Sequence, residues 1–184
     1  MKHLIVALLS SLIFIAANAA DDGKQTFETP DGPVTATKKT APPVPQKISA
    51  VGSKELAAFE QASARALRFV TDYVPRASNP KLTDFDKAFY LWQKEKSRRY
   101  SEQQVIEMIG AYLGNQLVKD FQMEWVVVSD QYGTDYAVRG KQKEVMSFPF
   151  ASVEKRIQRK EHEFVVGVYQ TVKHTLADAD IKAR

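Results

Sequence analysis

Between Ser53 and Pro75, apolar or small residues recur every three to four positions at Leu56, Phe59, Ser63, Leu67, Val70 and Val74, while Glu60, Arg65, Arg68 and Asp72 take the other side. This is the period of an amphipathic helix, with Ser53 placed to cap its start and Pro75 to stop it. Beyond the turn Ala77-Ser78-Asn79-Pro80, Thr83 is placed to cap a second helix whose buried stripe is Phe85, Ala88, Phe89 and Trp92. Asp84 and Asp86 fall in its first turn, where the helix dipole favours carboxylates. Ser101 and Gln104 form a capping box for a third helix reaching about Phe121. Its apolar or small positions make two stripes, Val105, Met108, Ile109, Tyr112, Leu113 and Ile106, Gly110, Gly114, Leu117, which together predict a central, buried helix. A glycine inside a helix costs about 1 kcal/mol relative to alanine, so this pair predicts the close approach of another backbone.

The period then shortens to two. Glu124 to Ser129, Thr134 to Arg139 and Glu144 to Phe148 read as three short antiparallel strands, joined through Asp130-Gln131-Tyr132-Gly133 and Gly140-Lys141-Gln142-Lys143. With Gly133 in the left-handed position of a three-residue loop, Asp130 pairs with Thr134, Val127 with Ala137 and Trp125 with Arg139. One face then carries Val126, Val128, Tyr136, Val138 and Val145 toward the core. The other carries Trp125, Asp135, Arg139, Glu144 and Phe148. Pro149 suits the first turn of a fourth helix with Val153 and Ile157 inward, and a fifth helix from about His162 uses Phe164, Val165, Val168, Val172 and Leu176. Three helices, a three-stranded antiparallel meander and two more helices, without βαβ alternation, predict an α+β domain over residues 53–184.

The N-terminal part follows other rules. Met1 to Ala19 has a short basic start, an apolar run from Leu4 to Ala17 and the small residues of Ala17-Asn18-Ala19, the pattern of a signal peptide cleaved between Ala19 and Ala20. A membrane anchor needs about 20 apolar residues, and this run is shorter. Residues 20–52, rich in Thr, Pro and Lys, read as a disordered tether whose acids Asp21, Asp22, Glu28 and Asp31 balance Lys24, Lys38, Lys39 and Lys47. The expected product is an exported bacterial protein, periplasmic or secreted, with no transmembrane segment in its mature chain.

Composition narrows the chemistry. The chain has no cysteine, which excludes disulfides, thiolate chemistry and lipidation on an N-terminal cysteine. Its 26 basic and 22 acidic residues leave a net charge of +4, and the basic clusters Lys94 to Arg99 and Lys155 to Lys160 sit among acids, so no nucleic-acid partner is expected. Past the signal the histidines are His162 and His174, which a helix would place about 120° apart around its axis. His162-Glu163-Phe164-Val165-Val166 lacks the second histidine of a zinc-protease helix. No nucleophile elbow, phosphate loop or dinucleotide fingerprint occurs, and no metal or cofactor is implied.

The hairpin supplies the candidate binding residues. Asp130 and Asp135 put two carboxylates near one loop beside Tyr132, although an aspartate before a glycine-ended turn commonly accepts backbone hydrogen bonds. Trp125 over Arg139 would form a platform, or simply a cross-strand cation–π pair capped by Glu144. Lys155 and Arg156 offer cations to an anionic ligand, or Arg156 pairs with Asp135 or Glu154. These residues support three readings: a non-enzymatic envelope binding module with an unidentified partner, a hydrolase using hairpin carboxylates, or a binder of anionic glycan or lipid.

Ile109-Gly110-Ala111-Tyr112-Leu113-Gly114, then Trp125 to Thr134, then Phe148-Pro149-Phe150-Ala151-Ser152-Val153-Glu154-Lys155-Arg156-Ile157 occur in that order. Over roughly Phe85 to Lys160 the chain resembles a bacterial family labelled domain of unknown function 3806. The resemblance implies a shared fold and a bacterial setting, and no reaction, ligand or catalytic residue.

Overall fold

The computed structural model describes residues 24–29, 32–37, 45–77, 79–140 and 145–182. The expected signal peptide, Met1 to Ala19, lies outside the described residues. The chain divides into two compact units, Met1–Pro43 and Val44–Arg184. In the first, strands β1 (Lys24–Thr29) and β2 (Gly32–Thr37) pair antiparallel, with Lys24 opposite Thr37 and Thr29 opposite Gly32. Composition predicts disorder across this stretch. Alternation in Lys24-Gln25-Thr26-Phe27 and Val34-Thr35-Ala36-Thr37 is nonetheless compatible with a hairpin.

The second unit is α+β, with five helices and a four-stranded antiparallel sheet in the order β3-β4-β5-β6. The helices are α1 (Ser53–Tyr73), α2 (Leu82–Lys94), α3 (Glu102–Phe121), α4 (Pro149–Arg159) and α5 (Val165–Lys182). The strands are β3 (Lys47–Ala50), β4 (Met123–Asp130), β5 (Gly133–Gly140) and β6 (Met146–Ser147). The expected meander of three strands thus gains a fourth, β3, from the segment assigned to the tether. Ile48 stands opposite Val128 and Ala50 opposite Val126. Four residues are too few to show a period, so β3 is defined by its partner strand.

Helix α3 is the hub, as its two apolar stripes predict: Val105, Ile109, Ala111, Leu113 and Leu117 are fully buried. Ser101 accepts from the Gln104 amide at 3.2 Å while Gln104 accepts from the Ser101 amide at 2.8 Å, closing the expected capping box. The α2 stripe of Phe85, Ala88, Phe89 and Trp92 is also fully buried. The caps of α1 and α2 fall on Gly52 and Lys81, one and two residues before the expected Ser53 and Thr83. The stripe of α1 is rotated from expectation. Leu56 and Leu67 are 39% and 40% exposed, and the buried face runs through Phe59, Ala62, Ala66, Phe69 and Val70, where small alanines let α1 lie close to α3.

The sheet register differs from the expected one by a single residue, with large consequences. Asp130 pairs with Gly133, Val127 with Tyr136, Val126 with Ala137, Trp125 with Val138 and Glu124 with Arg139. The connecting loop is Gln131-Tyr132, and Gly133 takes up the backbone change at φ +141°. Trp125, Val127, Tyr136 and Val138 therefore share the helix-facing side, while Val126, Val128 and Ala137 join Ile48, Met146 and Phe148 on the other. The facing of β5 agrees with expectation; that of β4 is inverted. The cause is the volume of Trp125, which belongs in the main core. Among the described residues no helix is long and apolar enough to cross a membrane.

Candidate functional site

The interior glycines of α3 position the site. A Cβ on Gly110 would lie 2.5 Å from Cδ1 of Phe150, and one on Gly114 would fall within the Trp125 indole. The pair therefore admits two aromatic side chains, and at Gly110 also the close backbone approach that the sequence suggests, with the Phe150 Cα 3.0 Å from the same Cβ position. Trp125 and Phe150 stack with centroids 5.5 Å apart, Phe59 closes on both at 4.6 and 5.2 Å, and Trp125 Nε1 donates to Asn115 Oδ1 at 2.9 Å. This aromatic block joins α1, α3, α4 and the sheet.

Above it lies an open groove of about 500 Å³, walled by the β4–β5 hairpin and the first turns of α4. Asp130, Tyr132 and Asp135 line it together with Phe148, Phe150 and Glu154. Tyr132, 83% exposed, stands at its mouth. Asp130 Oδ1 accepts from the Tyr132 amide at 2.8 Å, the local turn that an Asp-x-x-Gly loop favours. Asp135 Oδ1 accepts from the Tyr136 amide at 2.7 Å. A second groove of about 470 Å³ continues from the first through Ile106, Asp135 and Phe150, with Phe59, Ala62 and Tyr136 as its apolar lining and Glu55, Arg65 and Glu107 as its charged residues. Arg65 is held 3.9 Å from Glu107, which leaves the combined trough acidic.

The other sequence candidates lie elsewhere. Trp125 is buried in the core and does not meet Arg139; the one-residue register shift puts the two on opposite faces of the sheet. Arg139 Nη2 instead donates to Glu124 Oε1 at 2.7 Å. Glu144, the expected cap of that pair, lies outside the described residues. Arg156 packs over Phe164 at 5.9 Å, and its Nε sits 3.0 Å from Glu161 Oε2, so its partner is neither Asp135 nor Glu154. Lys155 is exposed on α4, and neither it nor Arg156 lines the groove. Among the described residues no cluster of three His, Asp or Glu side chains could hold a metal ion. His162 Nδ1 lies 2.6 Å from Gln93 Oε1 and its ring packs on Tyr90, so it links α2 to the loop before α5.

Sequence reasoning missed Glu154 and Phe150 as groove residues. Their spacing of four places them on one side of α4, but only the docking of α4 against β5 turns that side toward Asp135. It also missed the role of Asp86. This buried carboxylate accepts from the amides of Phe164, Val165 and Val166 at 2.8, 2.7 and 3.2 Å, capping α5 from a distant part of the chain. At the far end of α1, Tyr73 donates to Glu95 and Tyr100 to Asp72, both at 2.5 Å. Burial, followed by these carboxylates, raises both phenol pKa values, and the Tyr73 hydrogen bond lowers that of Glu95.

The family described as Domain of unknown function (DUF3806) matches residues 84–169, from α2 to the first turn of α5. A crystal structure from Bacteroides thetaiotaomicron VPI-5482 at 1.50 Å resolution is similar in fold, with a TM-score of 0.54 and 11% sequence identity. The similarity covers 74% of this chain and 50% of that one, so the present chain corresponds to about half of its neighbour. No curated protein matches.

Proposed function

We propose that this chain, whose residues 84–169 carry the Domain of unknown function DUF3806, is an exported bacterial binding module that acts through the groove beside its β4–β5 hairpin. The observation that carries the reading is the convergence of Asp130, Tyr132, Asp135, Phe148 and Glu154 on one open groove built on the Trp125–Phe150 block. Rigid walls, aromatic surface and a few oriented polar groups are what a recognition site requires. One oxygen of each hairpin aspartate is already engaged by a backbone amide of the turn or strand, which suits a ligand-positioning role. Export rests on the pattern of Met1 to Ala19, with a mature start at Ala20.

The same convergence of three carboxylates favours a second reading, a hydrolase using Asp130, Asp135 or Glu154. One experiment separates the two. The full mature chain and an Asp130→Asn, Asp135→Asn, Glu154→Gln variant are incubated with bacterial envelope extract, and both retention and release of soluble fragments are measured. The binding reading expects retention that the variant loses, without fragment release. Fragment release by the unaltered chain that the variant loses would sink it. Export is checked by cell fractionation and N-terminal sequencing, where a cytoplasmic chain retaining Met1 to Ala19 would contradict it.

A further inference from the structure

Strand β5 is longer than the strand that covers it. Its outer neighbour β6 pairs only with Val138 and Arg139, and the chain then turns away at Pro149, the first residue of α4, which has no amide hydrogen to offer a ladder. Gly133 to Ala137 therefore continue beyond β6 with no outer strand among the described residues. Antiparallel strands direct both polar groups of alternate residues to the same side. Gly140 donates to the Val145 carbonyl at 2.9 Å, so Val138, Tyr136 and Thr134 also direct their backbone groups to this outer side. The Tyr136 amide is met there by the carboxylate of its own neighbour, Asp135. An aspartate in that position blunts an edge that would otherwise pair indiscriminately.

This open edge borders the acidic groove: Gly133, Thr134 and Asp135 line it. We propose that the edge takes an extended basic peptide as a fifth strand of the sheet, an inference that rests on the groove being the binding site. Alternate side chains of an added strand would face opposite sides of the sheet. Those on the Tyr136 side meet Ile106 and Phe150 and are apolar; those on the Asp135 side approach the carboxylates of Asp130 and Asp135 and are cationic, and Glu154 adds its charge to the same groove. A peptide carbonyl replaces Asp135 at the Tyr136 amide, and the released carboxylate meets the incoming cation. The exchange leaves no backbone donor unpaired, so strand addition supplies affinity and the charge pattern supplies selectivity.

The test uses the full mature chain and three synthetic probes: an acetylated, amidated hexapeptide of alternating lysine and valine, the same peptide N-methylated on alternate amides, and its glutamate–valine counterpart. Calorimetry should show binding of the first. N-methylation should weaken it about tenfold or more, and Asp135→Asn, Glu154→Gln should do the same while reducing its salt dependence. Exchange of the Thr134 and Tyr136 amides should slow on binding. Circular dichroism of the variant checks that it remains folded. Equal binding of the N-methylated or acidic probe, or no binding of the lysine–valine probe, would overturn strand addition. If envelope retention by the groove persists in that case, the binding-module reading stands alone; if retention is also absent, both fail.

Discussion

Gly114 lacks a side chain because the Trp125 indole occupies the space where one would stand. Replacing it with alanine sets two effects against each other. Helix propensity gains about 1 kcal/mol, whereas overpacking a rigid ring costs about 1–3 kcal/mol. The loss wins here, because the indole is held by Phe59, Phe150 and the Asn115 hydrogen bond. Gly114→Ala is expected to lower the Tm and alter tryptophan emission. Gly167 is the control: it is exposed in α5 with nothing near its missing Cβ, and Gly167→Ala should raise stability by about 0.5–1 kcal/mol in denaturant unfolding. Spacing alone marks Gly110 and Gly114 as a contact surface. It does not say that the partners are Phe150 and Trp125, which lie in later elements and reach α3 only after folding.

At the scale of elements, α5 begins where Asp86 binds three of its first amides. Removing that carboxylate with Asp86→Ala leaves buried donors unpaired, at an expected cost of about 2 kcal/mol. Denaturant unfolding measures the cost, and hydrogen exchange should show the Phe164 to Val166 amides opening first. A stability change confined to α2 would contradict this role. Helices α2 and α3 were legible because their buried stripes are long and strongly periodic. The hairpin was legible as a hairpin, but its register was not. Two- and three-residue loops are both compatible with Asp130-Gln131-Tyr132-Gly133, and the choice reverses every side chain of β4. The need to bury Trp125 against Gly114 decides it.

Across the whole molecule, burial raises the phenol pKa values of Tyr73, Tyr100, Tyr112 and Tyr169, with carboxylates reinforcing the shift. An unfolded tyrosine titrates near pH 10, so above that pH the folded chain holds protons that the unfolded chain has released. These groups stabilise the fold fully below about pH 10, and their contribution is lost as pH rises through the folded values. Alkaline unfolding should therefore accompany phenolate absorbance, and Tyr73→Phe, Tyr100→Phe should flatten the dependence of stability on pH. Glu95 acts at the opposite end: its lowered pKa contributes above the unfolded carboxylate value and fades as pH falls. The sequence alone determined the α+β class, the central place of α3, the strand-forming segments and the absence of cysteine chemistry, because these depend on local period and composition. It also placed Asp130, Tyr132 and Asp135 together, since one short loop joins them. Tertiary structure decided the fourth strand, the facing of β4, the distant cap of α5 and the arrival of Phe150 and Glu154 at the groove. Each depends on which surfaces bury the most volume and pair the most polar groups when distant segments meet, a competition that no local pattern records.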